Sequence, residues 1–253
     1  MANWFQSLFS PAPVVSDFSS LQIDLHSHLI PGIDDGVQTM DEALHHIETL
    51  KRMGYRKLIT TPHIMPGYYE NTRETILGGL EKVRQELKAH KIDIEIEAAA
   101  EYYFDDYLFD VIDKDEALTF GDNYLLFELP TFDLPVRVKE FIFEANRRKI
   151  KPMLAHVERY TYLHDEQIGH DHLAPYEELY NMELYMQINI GSLAGIYGEK
   201  LQKLSYKLIE KGWIDFLGSD LHGERHIGYM EKALKDRHVA KLLKERKFKN
   251  LEL

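Results

Sequence analysis

Seven short apolar or alternating segments recur along the chain, and apolar residues with helical spacing lie between them. Regular alternation of strand and helix is typical of parallel βα units. We therefore predict an α/β fold built on seven strands. The predicted strands cover residues 21–25, 57–61, 92–99, 123–129, 151–155, 185–190 and 213–218.

The helical segments show apolar residues three and four positions apart, which marks one buried face on each helix. Thr39 is a candidate cap for the first helix, and Gly212 is expected to end the fourth. The parallel strands could form a barrel or an open sheet. No glycine-rich phosphate loop follows the first strand, which disfavours the nucleotide-binding open sheets. One last helix is expected to carry Ala233, Leu234, Leu242 and Leu243.

Residues of metal-binding type lie near or just after the ends of six predicted strands, and the strand at 185–190 delivers only Asn189. A barrel brings the carboxyl ends of its strands to one rim, where active sites lie. We therefore expect these side chains to meet. The candidate metal ligands are His26, His28, Asp35, His63, Glu101, Glu128, His156, Asp220 and His222.

The mixture of imidazoles and carboxylates suits zinc, manganese, iron or a similar divalent ion. One ion takes about four to six ligands, so nine candidates favour two or three ions. In an extended chain His26 and His28 would point the same way and could bind one ion, and Asp220 with His222 repeats that spacing. Taken singly, each residue has an ordinary alternative, such as a hydrogen-bonded buried histidine or a turn at 34–36.

Six other histidines fall within a helix, near a helix end or in a polar loop. Solvent-exposed or structural roles are expected for these six residues, which are His45, His46, His90, His164, His170 and His172.

Charge and composition exclude several classes. The formal net charge is −12, and no Lys/Arg-dense stretch precedes the C-terminal tail, which disfavours a general nucleic-acid partner. The absence of cysteine excludes disulfides and a cysteine nucleophile, and it fits a reducing compartment. No apolar run of about 18 residues occurs, so no stable membrane insertion is expected. The first 20 residues lack signal-peptide features, and a cytoplasmic location is expected.

The chain is expected to form one domain, 1–253, with a short N-terminal extension at 1–20. Within this extension a short apolar helix is expected to pack against the body of the protein, and contact with a membrane or partner, or disorder, are the alternatives. Its apolar residues are Trp4, Phe5, Leu8 and Phe9.

Six phrases in order between residues 22 and 222 resemble the motifs of the PHP (polymerase and histidinol phosphatase) superfamily. They resemble most closely its bacterial tyrosine-phosphatase branch, the CpsB/YwqE-like enzymes of capsule and exopolysaccharide systems. The phrases are IDLHSHLIPGIDDG, TTPH, AAEYYFDD, LLFELP, AHVERY and GSDLH. The resemblance implies a distorted, TIM-like (β/α)7 barrel of the PHP type.

The resemblance also implies a trinuclear metal centre, with manganese as the expected metal and iron, zinc or magnesium as alternatives. One ion would take His26, His28, Glu101 and Asp220. A second would share Glu101 and add Glu128 and His156, and a third would take Asp35, His63 and His222. Arg159 matches a phosphate-binding arginine of this branch, and Arg225 is a second candidate phosphate ligand.

The activity implied is phosphomonoester hydrolysis by in-line attack of a metal-bound hydroxide. The implied substrate is a phosphotyrosine protein, namely the tyrosine-rich tail of a polysaccharide-assembly tyrosine kinase. Five tyrosines near the expected rim could stack on a phosphotyrosine ring or simply pack in the core: Tyr68, Tyr69, Tyr102, Tyr103 and Tyr160.

Three other functions share the expected fold. A histidinol-phosphatase-like enzyme acting on small molecules would have nearly the same metal rim, but the phrase AHVERY disfavours it. A PHP nuclease is disfavoured because no basic groove is evident in the sequence. A non-catalytic scaffold is disfavoured because nine buried polar groups are costly to keep without metal.

Overall fold

A computed structural model describes residues 17–164 and 173–253 of the chain. The predicted N-terminal helix and the polar-loop residues His170 and His172 lie outside the described residues.

Parallel pairing joins nine strands into one sheet. The strands are β1 (Ile23–Ser27), β2 (Lys57–Thr60), β3 (His63–Ile64), β4 (Glu95–Ala98), β5 (Glu101–Tyr103), β6 (Tyr124–Glu128), β7 (Lys151–Leu154), β8 (Tyr185–Asn189) and β9 (Phe216–Leu221).

The sheet curls into a distorted barrel. Its order is β3-β5-β6-β7-β8-β9-β1-β2-β4. Because β3 closely follows β2, and β5 closely follows β4, each pair acts as one interrupted strand. The two interrupted strands pair with each other through β2 with β4 and β3 with β5, so seven strand positions form a ring. The predicted α/β barrel of seven strands is confirmed.

Nine α-helices lie in the described residues. They are α1 (Met40–Arg52), α2 (Arg73–Ala89), α3 (Asp106–Asp113), α4 (Val138–Arg147), α5 (Ala174–Asn181), α6 (Ile190–Leu193), α7 (Glu199–Glu210), α8 (Glu224–Lys235) and α9 (Arg237–Glu245). None of the helices in this part of the chain is long and apolar enough to span a bilayer.

Two predictions about helix ends have different outcomes. The cap at Thr39 is confirmed, because its side chain accepts a hydrogen bond from the backbone N–H of Glu42, which bonds back in a capping box. The prediction of one last helix is wrong. Asp236 ends α8 and caps α9, since its carboxylate accepts the N–H groups of His238 and Val239.

The first and last predicted strands lie too early in the sequence. The chain at Gln22 has φ of +59°, so β1 begins at Ile23 rather than at residue 21. Both β1 and β9 also extend beyond their predicted ends, because their last residues include polar side chains and the prediction followed apolar residues. These polar residues can be buried because they bond to one another: Ser219 Oγ donates to Asp24 Oδ2 at 2.8 Å.

Apolar side chains fill the barrel below the rim. Leu25, Ile59, Leu126, Met153 and Phe216 come from five different strands and are fully buried in one cluster. A larger cluster packs the helices against the outside of the sheet. The barrel interior is therefore a packed core that supports the strand ends.

Candidate metal centre

Left-handed backbone conformations occur at three candidate ligands, each at the end of a strand. The φ angles are +71° at His26, +32° at His156 and +49° at Asp220. Such values are uncommon for residues other than glycine, and they concentrate at functional sites. The backbone is therefore not regularly extended at His26, where the β1–β9 register also shifts. His26 and His28 nevertheless point the same way, since both Nε2 atoms face Glu101 Oε2 with ligand spacing.

Glu101 lies at the centre of the site and is fully buried at the start of β5. Its Oε2 is 3.1 Å from His26 Nε2, 3.4 Å from His28 Nε2 and 3.3 Å from His63 Nδ1. Its Oε1 is 3.2 Å from His156 Nε2. One carboxylate thus faces four imidazoles, as expected of a group that bridges metal ions.

Two further carboxylates face three of these imidazoles and that of His222. Asp220 Oδ1 is 3.2 Å from His26 Nε2 and 3.3 Å from His222 Nδ1. Glu128 Oε1 is 3.6 Å from His63 Nδ1, and its Oε2 is 3.7 Å from the His156 ring. These contacts join the ends of strands that lie far apart in sequence.

The outer part of the site contains Asp35. Its Oδ1 is 3.5 Å from His63 Nε2 and 3.4 Å from His222 Nε2. The rings of His28 and His222 stack with centroids 3.8 Å apart. Candidate ligand atoms of Asp35, His28, His63 and His222 all lie within 4.8 Å of one another. His28 was expected to bind the first ion, with His26 and Glu101. Its position would also allow it to bind the third ion, with Asp35, His63 and His222.

All nine predicted residues are therefore brought together. Five imidazoles and four carboxylates converge at the carboxyl ends of the strands, and four overlapping groups of them have ligand spacing. Metal binding by each of these residues stays a prediction.

The outer hydrogen bonds of two histidines leave one nitrogen facing the site. His28 Nδ1 donates to Asp34 Oδ2 at 2.7 Å, and its buried Nε2 has no hydrogen-bond partner. His26 Nδ1 contacts Gln187 Oε1 at 3.0 Å, and its Nε2 faces Glu101. Metal-binding histidines usually show this arrangement, with the second nitrogen bonded to a carboxylate or carbonyl. These nitrogens fit metal ions.

Burial shifts the ionisation of several site residues. Burial lowers the pKa of His63 to about 4 and also lowers that of His156, which favours the neutral, metal-binding imidazole. Burial raises the pKa of Glu128 to about 8, and the nearby Glu101 carboxylate adds to this rise. Burial opposes a charge on His28, but its bond to Asp34 raises the pKa to about 10. Such crowded buried carboxylates require nearby positive charge.

Supporting polar residues lie behind the candidate ligands, and the sequence interpretation missed most of them. Asn189 Nδ2 donates to Asp220 Oδ2 at 2.7 Å, and Gln187 Nε2 donates to Asn189 Oδ1 at 2.9 Å. Asp24 accepts hydrogen bonds from the backbone and side chain of Ser219. The available signal was a polar residue inside an apolar strand, which applies to Gln187 and Asp24.

A cavity of about 500 Å³ opens above the site. Arg159 and Arg225 line it together with seven of the nine candidate ligands, while His26 and His28 are fully buried. Arg159 Nη1 is 3.2 Å from Asp220 Oδ2. Sequence reasoning missed His226, which also lines the cavity.

The tyrosines expected near the rim divide into different roles. Tyr69 lines the cavity and stacks on His63 with ring centroids 5.3 Å apart. Tyr102 and Tyr160 are buried, and their hydroxyls accept backbone N–H groups, so they belong to the core. Tyr68 is exposed and Tyr103 is partly buried. Tyr197, which was not predicted, also lines the cavity.

Fold and site together define an α/β-barrel protein with a candidate polynuclear metal centre at the rim. The chain belongs to the CpsB/CapC family of capsular polysaccharide synthesis, whose sequence model matches residues 22–251.

Curated relatives in three bacteria carry tyrosine-phosphatase names. The chain is 25% identical to the putative tyrosine-protein phosphatase CapC of Staphylococcus aureus, over 84% of this chain and 81% of the relative. It is 27% identical to the tyrosine-protein phosphatase YwqE of Bacillus subtilis, over 79% of this chain and 77% of the relative. It is also 27% identical to the tyrosine-protein phosphatase CpsB of Streptococcus pneumoniae, over 83% and 87%.

Solved structures support the fold. A crystal structure from work on YwqE of Bacillus subtilis and CpsB of Streptococcus pneumoniae, described as metal-dependent tyrosine phosphatases, matches with a TM-score of 0.76 and 25% identity. It covers 88% of this chain and 91% of that chain. A histidinol phosphate phosphatase from Lactococcus lactis matches with a TM-score of 0.53 and 15% identity, over 90% of this chain and 95% of that chain. This likeness shows the fold alone.

Proposed function

We propose that this protein is a metal-dependent protein-tyrosine phosphatase that regulates capsular or exopolysaccharide synthesis. The observation that carries the proposal is the convergence of nine metal-type side chains at one rim, beneath a cavity that two arginines also line, in a chain of the CpsB/CapC family.

The proposed centre holds three divalent ions. Nine candidate ligands exceed the need of one ion, which takes about four to six. Glu101 would help to hold more than one ion, because its two oxygens face different imidazoles. The mixture of nitrogen and oxygen donors suits manganese, which we take as the expected metal, and also iron or zinc, with magnesium less well matched.

Bound ions would supply Lewis-acid chemistry, polarising the phosphate and lowering the pKa of water so that it can attack in line. The chain itself would bind and orient the substrate. Arg159 offers planar N–H donors to phosphate oxygens, and its contact with Asp220 holds the guanidinium over the site. Arg225 lines the same cavity and would add a second donor. Tyr69 would contact the substrate ring from the cavity wall.

The proposed substrate is a phosphotyrosine protein, specifically the tyrosine-rich tail of a polysaccharide-assembly kinase. The family's role in capsular polysaccharide synthesis supports this choice. Such a tail would lie in the cytoplasm, so the proposal keeps the expected cytoplasmic location.

Steady-state hydrolysis tests the proposal. The manganese-loaded protein would be assayed with a phosphotyrosine peptide, the matching phosphoserine peptide and histidinol phosphate. We expect the highest kcat/KM with the phosphotyrosine peptide, and we expect chelation to abolish hydrolysis. A higher kcat/KM with histidinol phosphate would contradict the proposed substrate.

Variants locate the activity in the rim. Asp220→Asn should lose both metal and hydrolysis, because Asp220 faces two imidazoles and the Arg159 guanidinium. Asp93→Asn is the matched control, since Asp93 is exposed and precedes β4 at the other end of the barrel. Full activity and metal content in Asp220→Asn would exclude this site.

A further inference from the structure

A second cluster of metal-type side chains lies outside the rim, between α1 and the beginning of α8. It consists of His45, His46 and Glu224, whose candidate ligand atoms lie within 4.8 Å of one another. His45 Nε2 is 3.5 Å from Glu224 Oε2, and His46 Nδ1 is 3.9 Å from the same oxygen. Sequence reasoning gave both histidines solvent or structural roles because they lie inside a helix.

The buried member of this cluster has an unsatisfied nitrogen. The side chain of His46 is 5% exposed, and its Nδ1 is buried without a hydrogen-bond partner. Buried polar atoms are nearly always paired, so such an atom requires an explanation. Both His46 and Glu224 line one cavity of about 450 Å³, together with His45. The unpaired imidazole therefore shares a space with the two other donors.

We propose that His45, His46 and Glu224 bind a divalent transition-metal ion of the zinc class. Two imidazoles and one carboxylate suit zinc, cobalt or nickel, whereas magnesium and calcium prefer oxygen ligands. Three protein ligands with a water in the fourth position make an open tetrahedral site.

The observed spacing is close to what this ion requires. With zinc–ligand bonds of about 2.0–2.1 Å, tetrahedral donor atoms lie about 3.3 Å apart. The two contacts of 3.5 and 3.9 Å need only a small contraction, and the two imidazole nitrogens, which lie within 4.8 Å of each other, would also move closer. The side chains of His45 and Glu224 are 57% and 74% exposed, so both can adjust around the buried His46 without moving the helices.

An ion at this site would connect two helices next to the rim. The cavity is also lined by His222 and Gly223, and His222 lines the rim cavity as well. An ion at this position would join α1 to the first residue of α8, behind the segment that carries His222. The proposal does not depend on the phosphatase assignment.

Zinc content of matched variants tests the proposal. The manganese-loaded full chain would be dialysed against buffered low-micromolar free zinc, and zinc and manganese per chain would be measured by mass spectrometry. The variants are His45→Ala and Glu224→Gln, both at exposed positions. The control is His90→Ala, because His90 is an exposed imidazole 3.6 Å from the Glu86 carboxylate and has no role in the cluster.

Wild type and His90→Ala should bind one more zinc per chain than His45→Ala and Glu224→Gln. Because exchange at the rim is common to all four proteins, it cancels in this comparison. Diffraction data at the zinc edge should also show an anomalous peak between the three side chains. Equal zinc content in all four proteins, or anomalous peaks at the rim alone, would overturn the proposal.

Discussion

Replacing Asp34 by asparagine should weaken metal binding although Asp34 is not a predicted ligand. Its Oδ2 accepts from His28 Nδ1 at 2.7 Å and from the His63 backbone N–H at 3.1 Å. Its Oδ1 accepts from the Gly36 N–H at 3.0 Å. An asparagine amide has one oxygen and one NH2 group. Whichever way it is oriented, the NH2 group faces at least one of these three donors.

The size of the effect follows from these contacts. A hydrogen bond to a charged group contributes about 1.5–3 kcal/mol, and Asp34→Asn loses the charge as well as at least one bond. That range matches the loss of about 10- to 100-fold in metal affinity seen when carboxylates behind ligating histidines are removed. We therefore expect manganese affinity to fall by this factor, chiefly because the His28 imidazole is less well oriented.

Competition with a chromophoric chelator would measure manganese affinity for wild type, Asp34→Asn and the exposed control Asp93→Asn. Because the predicted ligands remain, hydrolysis by Asp34→Asn should recover as manganese approaches saturation. Affinity within twofold of wild type would refute the reasoning. So would full metal content combined with lasting loss of activity, since Asp34 would then act on another step.

Three further outcomes are expected. Arg159→Ala should keep its metal but raise KM for phosphotyrosine peptide by about 10- to 100-fold, since charged hydrogen bonds are lost; unchanged kinetics would remove it from the site. Gly36→Ala should lower the free energy of unfolding in urea by about 3 kcal/mol, because a Cβ there would lie 2.3 Å from His28 Cβ. The control Gly78→Ala, in open space on α2, should raise it by about 0.5–1 kcal/mol. Asn250→Ala should cost about 2–4 kcal/mol in the same assay, since its buried amide bonds the backbones of β1 and β9.

The barrel and its rim could be predicted because their signals are local. Each strand is a short apolar run, and most candidate ligands lie at the end of such a run or follow it by a few residues. Parallel topology then brings the strand ends together, whatever their separation in sequence. This is why Glu101 and His156 could be placed at one site although 55 residues separate them.

The strand interruptions could not be predicted in this way. Pro62 lies between β2 and β3 and has no N–H to continue the ladder, while its carbonyl accepts the N–H of Glu101 at 3.1 Å. That bond positions β5, which apolar patterning did not identify. The supporting residues depend on contacts across the barrel: Gln187 meets His26 from 161 residues away. No local pattern specifies such a partner.

The same features that prepare the rim for metal also make it costly to fold. Left-handed backbone at His26, His156 and Asp220 costs on the order of 1–3 kcal/mol per residue, and the buried carboxylates add to this cost. These conformations persist because the rest of the barrel fixes the strand ends. Leu25 anchors β1 in the packed interior directly before His26, and Phe216 anchors β9 a few residues before Asp220. The apolar core below the rim therefore stabilises the arrangement in which the polar groups meet, and the chain can hold a site that its local conformational preferences oppose.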